Sequence, residues 1–145
     1  MWIFNIKAAS LFKDEMLLDD DVYSGAWPNG FNDPTNTNDP DIGPLPEGFY
    51  TICGPPYEDK EHGPYILRLE PDRDNVMYGR VGMLMHGKPV SPPGVKALLP
   101  NPLICCGSKG CLCAGPDTRR RVYQSGDTRL QVVSGIVVCD PEISV

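Results

Sequence analysis

The run Gly43-Pro44-Leu45-Pro46-Glu47-Gly48-Phe49-Tyr50-Thr51-Ile52-Cys53 decides the fold class. Glycine and proline alternate through its first half as a rigid double turn, and its second half is aromatic and β-branched, the composition of a strand. The same grammar recurs on both sides. Tyr65 to Glu70 alternates well enough for a strand, and Pro71-Asp72 turns out of it. Gly82-Met83-Leu84-Met85-His86-Gly87 reads as a buried strand that delivers His86 at its end. Upstream, Trp2 to Ile6, a turn, Leu11 to Leu18 and Val22-Tyr23 read as an edge hairpin, and Pro55-Pro56 should stop the strand that ends at Cys53. Downstream, Leu130 to Val133 and Ile136 to Cys139 read as a closing pair around Ser134-Gly135. Ser24 to Pro46 reads as an ordered loop, and 89–102, with five prolines, as another.

One stretch breaks the pattern. Pro116 to Ser125 has a proline suited to a first helical turn, Asp117 at the positive end of the dipole, and Gly126 to close it. The expected architecture is mainly β, a single β-sandwich or partly closed barrel spanning 1–145, with one short helix.

Composition narrows the function classes. The 145 residues are 41% hydrophobic, enough to bury a core, and glycine and proline make up about a fifth of the chain. A formal charge of −6 argues against binding nucleic acid or an anionic membrane through a basic surface. No run approaches the roughly 20 apolar residues of a membrane span, and the first residues lack the pattern of a secretory signal. The expectation is a protein made in the cytoplasm.

Six cysteines stand at 53, 105, 106, 111, 113 and 139, and four of them crowd into Cys105-Cys106-Gly107-Ser108-Lys109-Gly110-Cys111-Leu112-Cys113. Zinc ligation by these four fits poorly, because adjacent cysteines and a C-x-C pair do not match the usual C-x₂₋₄-C spacing. No metal or other cofactor is expected. A disulfide from Cys105 or Cys106 to Cys113 remains open, with Cys111 left as a thiol.

Chemistry is the remaining reading of the cluster. A cysteine thiol titrates near 8.5 unless a base or cation sits beside it. Of the two histidines, His86 ends an apolar strand before a glycine, which suits a fixed general base, whereas His62 lies in the polar turn Glu58-Asp59-Lys60-Glu61-His62-Gly63 and needs no special role. Gly110 permits a close approach beside the nucleophile, and backbone N–H groups there could form an oxyanion hole. The bland alternative is a satisfied core histidine and a buried small hydrophobe.

His86-Gly87 followed by Ser108-Lys109-Gly110-Cys111-Leu112 resembles the signature of L,D-transpeptidase catalytic domains. More specifically, the chain resembles the type VI secretion L,D-transpeptidase effectors over about residues 20–133. The matching pieces run in order through Tyr23-Ser24-Gly25, Asn32-Asp33-Pro34, 43–50, 62–69, Gly79-Arg80, 85–87, 108–112 and 120–127, leading to 130–132. The resemblance implies Cys111 as nucleophile, His86 as its base and Ser108 as an orienting hydroxyl. It implies backbone stabilisation of the oxyanion at Gly110 and Gly87, with Lys109, Arg121 and Tyr23 toward the substrate. The substrate would be peptidoglycan peptide stems, trimmed from tetrapeptides or exchanged at the terminal D-alanine. Partners would be a type VI secretion machine and a cognate immunity protein, and the site of action a rival's periplasm. A phage or self-directed wall-remodelling enzyme, or an inactive wall-binding module, would carry much of the same pattern. The chain departs from the wider group at Lys109, often histidine there, and at Cys113, often arginine or asparagine. Arg119, Arg120 or Arg121 could supply the missing charge. The segment between His86 and Ser108 is also long and proline-rich.

Overall fold

A computed structural model describes residues 1–25, 32–39, 43–87 and 110–135. The expected strands at 136–139, the loop 89–102, and Cys105, Cys106, Ser108 and Lys109 lie outside them.

Nine strands form one hydrogen-bonded sheet: β1 (Trp2–Asn5), β2 (Ser10–Lys13), β3 (Met16–Asp19), β4 (Tyr23–Ser24), β5 (Gly48–Asp59), β6 (Gly63–Pro71), β7 (Leu84–His86), β8 (Leu112–Cys113) and β9 (Arg129–Val133). Their order across the sheet is β3-β2-β1-β9-β5-β6-β7-β8-β4. Most neighbours are antiparallel, but β1 runs parallel to β9 and β7 runs parallel to β8. Parallel neighbours cannot be joined by a hairpin and need a crossover of about a dozen residues or more. Both parallel pairs join segments distant in sequence, which no local pattern could announce.

The N-terminal segment is therefore not an edge hairpin. It is a three-stranded meander whose first strand is inserted against β9, with β3 left at the edge. Trp2 and Phe4 point into the core at 2% and 0% exposure, whereas Met16 and Leu17 on β3 lie exposed. Nor do Pro55 and Pro56 end β5. The strand runs on to Asp59, because the ladder with β6 breaks register between Cys53 and Tyr57, where residues without N–H donors are tolerated.

The helix forms as its sequence requires, α1 (Pro116–Gln124), with Pro116 in its first turn and Gly126 at a φ of +76° just beyond Ser125. It is about 14 Å long at 1.5 Å per residue. A nine-stranded sheet with strands about 4.8 Å apart spans close to 40 Å, so one such helix cannot cover it. Yet Trp2, Phe4, Leu11, Tyr50, Leu67, Met85, Leu112 and Leu130, drawn from seven of the nine strands and reaching from β2 to β8, share one buried cluster. The sheet therefore curls over itself around a single core. Val122 is the helix's contribution to that cluster.

Because β1 is interior, Phe4→Ala should destabilise the protein by about 3–5 kcal/mol, the range for emptying a buried aromatic site. Met16→Ala on the exposed edge strand should fall within about 0.5 kcal/mol of wild type. Urea denaturation followed by circular dichroism separates the two, and a small effect at Phe4 would contradict the interior placement.

Candidate functional site

The site is built on the far side of the sheet from the core. β7 and β8 pair in parallel with Met85 opposite Leu112 and His86 opposite Cys113. Met85 and Leu112 belong to the core cluster. Successive side chains of a strand alternate faces, so His86 and Cys113 share the other one. β4 extends the row, since Tyr23 pairs with Cys113. Tyr23, Cys113 and His86 thus stand abreast on three neighbouring strands. Cys111 immediately precedes β8, following the Gly110 turn. Of the two thiols, Cys113 is the one directly opposite the histidine. Both are buried, at 0% and 4% exposure.

The orientation of His86 follows from one bond. Its Nδ1 lies 2.8 Å from the carbonyl oxygen of Gly87. A carbonyl only accepts, so Nδ1 carries the proton and Nε2 is the basic nitrogen of the neutral ring. Gly87 therefore has a role read from geometry, that of fixing the tautomer of its neighbour.

Gly110 is held from behind. It adopts a φ of +89°, and a Cβ there would collide with the Arg80 guanidinium and stand 2.8 Å from the carbonyl oxygen of Gly43. Arg80 is itself buried and donates to three carbonyls, from Nη1 to Thr37 and Pro44 at 2.7 Å each and from Nη2 to Gly43 at 2.9 Å. Ser24 completes the clamp, donating from Oγ to the Gly110 carbonyl at 3.1 Å and accepting from the Leu45 N–H at 2.8 Å. The turn that carries Cys111 is thereby pinned to the segment that opens β5.

His62 joins the site although its polar turn gave no reason to expect it. Its ring lies 4.8 Å from that of His86, centroid to centroid. Asp59 fixes it, with its oxygens 3.0 and 3.1 Å from His62 Nδ1 and one accepting from the His62 backbone N–H at 2.6 Å. Hydrogen bonding to His62 holds the Asp59 carboxyl below its ordinary range. The available signal was the Asp59-x-x-His62 spacing, which lets a carboxylate cap the turn of its own histidine.

The arginine that enters the site is Arg119. Arg121 lies exposed on the outer side of α1, next to a cleft with Leu18, Asp19 and Thr118. Arg119 sits three residues before Val122 and shares its inward face, a spacing that could have singled it out. Its guanidinium donates from Nε to Ala114 at 3.0 Å and from Nη1 to Pro64 and Tyr65 at 2.6 and 2.9 Å, all backbone carbonyls. Burial pulls its pKa below the usual arginine value, with Arg120 adding to the effect and Cys113 and Tyr65 opposing it.

His86, Gly87, His62, Lys60, Gly115 and Arg119 line one cavity of about 480 Å³. Among the described residues no three His, Cys, Asp or Glu side chains gather as a metal site, and no helix is long and apolar enough to cross a membrane. Cys53, Cys111 and Cys113 are thiols.

No protein family and no curated protein matches the chain by sequence. Among solved structures it is similar to an L,D-transpeptidase from Mycobacterium smegmatis, at 16% identity and a TM-score of 0.43. The match covers 91% of this chain and 57% of that one, so the chain spans a little over half its length.

Arg80 is the residue on which the Cys111 turn depends. Arg80→Met keeps the apolar stem and leaves three carbonyls without their donor, and should cost about 3 kcal/mol or more. It should also speed alkylation of Cys111 by iodoacetamide in the native state. Unchanged stability together with unchanged labelling would remove Arg80 from this role.

Proposed function

We propose that the chain is a cysteine-nucleophile enzyme of the L,D-transpeptidase type acting on peptidoglycan peptide stems. The observation that supports it is the parallel pairing of β7 with β8, which sets the His86 imidazole, with a defined basic nitrogen, against the strand that Cys111 leads into. His86 Nε2 takes the proton from Cys111 Sγ, and the thiolate attacks the carbonyl carbon of the bond before the terminal D-alanine. Backbone N–H groups at Gly110 and Cys111 stabilise the tetrahedral oxyanion, with Ser108 orienting the motif. As the C–N bond breaks, His86 returns the proton to the departing D-alanine amine and a thioester remains. Water then attacks the thioester, giving a tripeptide, or the amine of another D-amino acid attacks, giving exchange. In either case His86 accepts the attacker's proton and Cys111 leaves.

In this reading Tyr23 stands on the substrate side of the site, and Lys109 contributes to substrate binding. The enzyme is an antibacterial effector delivered by a type VI secretion machine into a rival's periplasm, with an immunity protein protecting the producer. Trimmed or exchanged stems can no longer donate to normal cross-links. A second reading of the nucleophile has its own support, because Cys113 and not Cys111 is the thiol directly opposite His86. Cys111 is preferred because it follows the clamped Gly110 turn and keeps slight exposure where Cys113 has none.

Mass spectrometry of muropeptides incubated with the protein tests both points. Wild type should shorten tetrapeptide stems to tripeptides, or swap the terminal residue when a D-amino acid is supplied. Cys111→Ala should abolish both products, and His86→Ala should lower the rate by at least about a hundredfold. Cys113→Ala should retain activity. Loss with Cys113→Ala and retention with Cys111→Ala would transfer the nucleophile's role, and unchanged muropeptides with folded, reduced wild type would favour a wall-binding module.

A further inference from the structure

A second cavity, of about 400 Å³, lies at the far end of α1 and takes no part in the chemistry above. Tyr123 is its aromatic wall, and Gln124, Asp127 and Thr128 supply its polar groups. The Tyr123 ring rests against β5 at Gly54, where a Cβ would come within 2.3 Å of Tyr123 Cε1. Glycine at 54 thus seats the ring, and Tyr123 is still 41% exposed. The hydrogen bond from Lys13, at 2.6 Å, holds the Asp127 carboxyl well below its ordinary range and makes it a fixed anion. Gln124 and Thr128 are exposed. An open aromatic face bordered by an amide, a hydroxyl and a carboxylate matches an amphipathic ring. A pyranose presents C–H bonds on its faces and hydroxyls around its edge. A wholly apolar ligand would strip water from Asp127 and Gln124 without replacing it, and an anion would meet the Asp127 charge.

Tyr65 links this cavity to the one beside His86. Its φ is +59°, in the left-handed region that bulky side chains avoid, and Arg119 donates to its carbonyl at 2.9 Å. Strain of this kind persists only where the surroundings over-determine it, and it gathers at ligand sites. The Tyr65 ring meets that of Tyr123 edge to face, 6.4 Å apart and at 81°, with the Arg120 guanidinium 5.7 Å over Tyr65. Pro64, its neighbour in the chain, lines the His86 cavity. The spacing of the two cavities is set by the helix. Pro116 lines the first and Tyr123 the second, seven residues along α1, or roughly 10 Å at 1.5 Å per residue. Three extended peptide residues span about 10–11 Å. A tetrapeptide stem cut to a tripeptide keeps three residues between its sugar and the scissile bond.

We propose that the Tyr123 cavity is a saccharide subsite. A pyranose of the glycan strand stacks on Tyr123, Gln124, Asp127 and Thr128 bond its hydroxyls, and the stem it carries runs past Tyr65 toward His86. The assignment rests on the function proposed above and narrows its substrate from peptides in general to stems still attached to sugar. The subsite touches no reacting atom, so its contribution falls on KM and leaves kcat unchanged.

A glycan without peptide tests the subsite apart from the chemistry. Titration calorimetry with chitotetraose, a β-1,4-linked N-acetylglucosamine tetramer, should show binding to wild type and equally to Cys111→Ala. Tyr123→Ala should weaken it at least about tenfold, the scale for truncating an aromatic anchor. Tyr123→Phe keeps the ring and should stay within about threefold of wild type, the worth of one exposed hydrogen bond. Gln124→Ala, a change at an exposed helix end, is the companion should Tyr123→Ala misfold by circular dichroism, and it should weaken binding at least about threefold. No binding of chitotetraose to folded wild type, or full affinity in folded Tyr123→Ala and Gln124→Ala, would overturn the subsite. So would a sugar-free tetrapeptide that bound at Tyr123 where chitotetraose did not. Chitotetraose binding lost in Tyr123→Ala would support the subsite even if wild type left every muropeptide intact. Muropeptide processing by a protein blind to chitotetraose would overturn the subsite alone, and the two ideas thus fail separately.

Discussion

The parallel pairing of β7 with β8 is the constraint from which the site follows. Each strand is only two or three residues long, yet their register puts His86 level with Cys113, with Cys111 immediately before β8. Parallel neighbours require a long crossover. The length of the segment between His86 and Leu112 is a topological requirement in this sheet. A short turn there would force an antiparallel pair, reverse the direction of β8, and remove the cysteine cluster from its histidine.

Two buried arginines give that short pairing its rigidity. Arg80 and Arg119 each donate to three backbone carbonyls, one behind Gly110 and the other behind the start of α1. Neither relies on a carboxylate partner for these contacts. A buried guanidinium is expensive to desolvate, and its multiple donors offset that cost only when several carbonyls converge on it. Such convergence fixes the loops it joins, which irregular backbone cannot achieve by its own hydrogen bonding. The glycines at 87 and 110 are the complement of this arrangement, since each lets a guanidinium come within reach of the backbone where a side chain would stand.

The cysteine cluster separates by position. Cys113 lies on β8 opposite His86 and Cys111 immediately precedes that strand, and both are thiols, whereas Cys53 is a thiol on β5. A thiol next to a fixed imidazole can be deprotonated, and a thiol in an apolar wall is inert. The tautomer of His86 is settled by the Gly87 carbonyl. His62, locked by Asp59 and close against His86, gives the base a second ring as a wall on the cavity side.

Local patterns in the sequence were sufficient for much of this. Turn residues and alternation located the strands at 49–53, 65–70, 84–86 and 130–133, and the Pro116, Asp117 and Gly126 signals bounded the helix to within a residue. They also placed His86 at a strand end, because an apolar run stopped by glycine is a local signal. What they could not determine was who pairs with whom. The N-terminal strand read as an edge because pairing with β9 is a contact across the whole chain, and the prolines of β5 read as a stop because the bulge that tolerates them exists only against β6. His62 and Arg119 enter the site through packing of elements remote in sequence, and Cys113 comes level with the base only through sheet register. Sequence by itself determined the elements and the residue types available for chemistry, since those depend on short-range sterics and periodicity. Tertiary structure alone decided which of them meet, since register and burial are set by the closure of the sheet around one core.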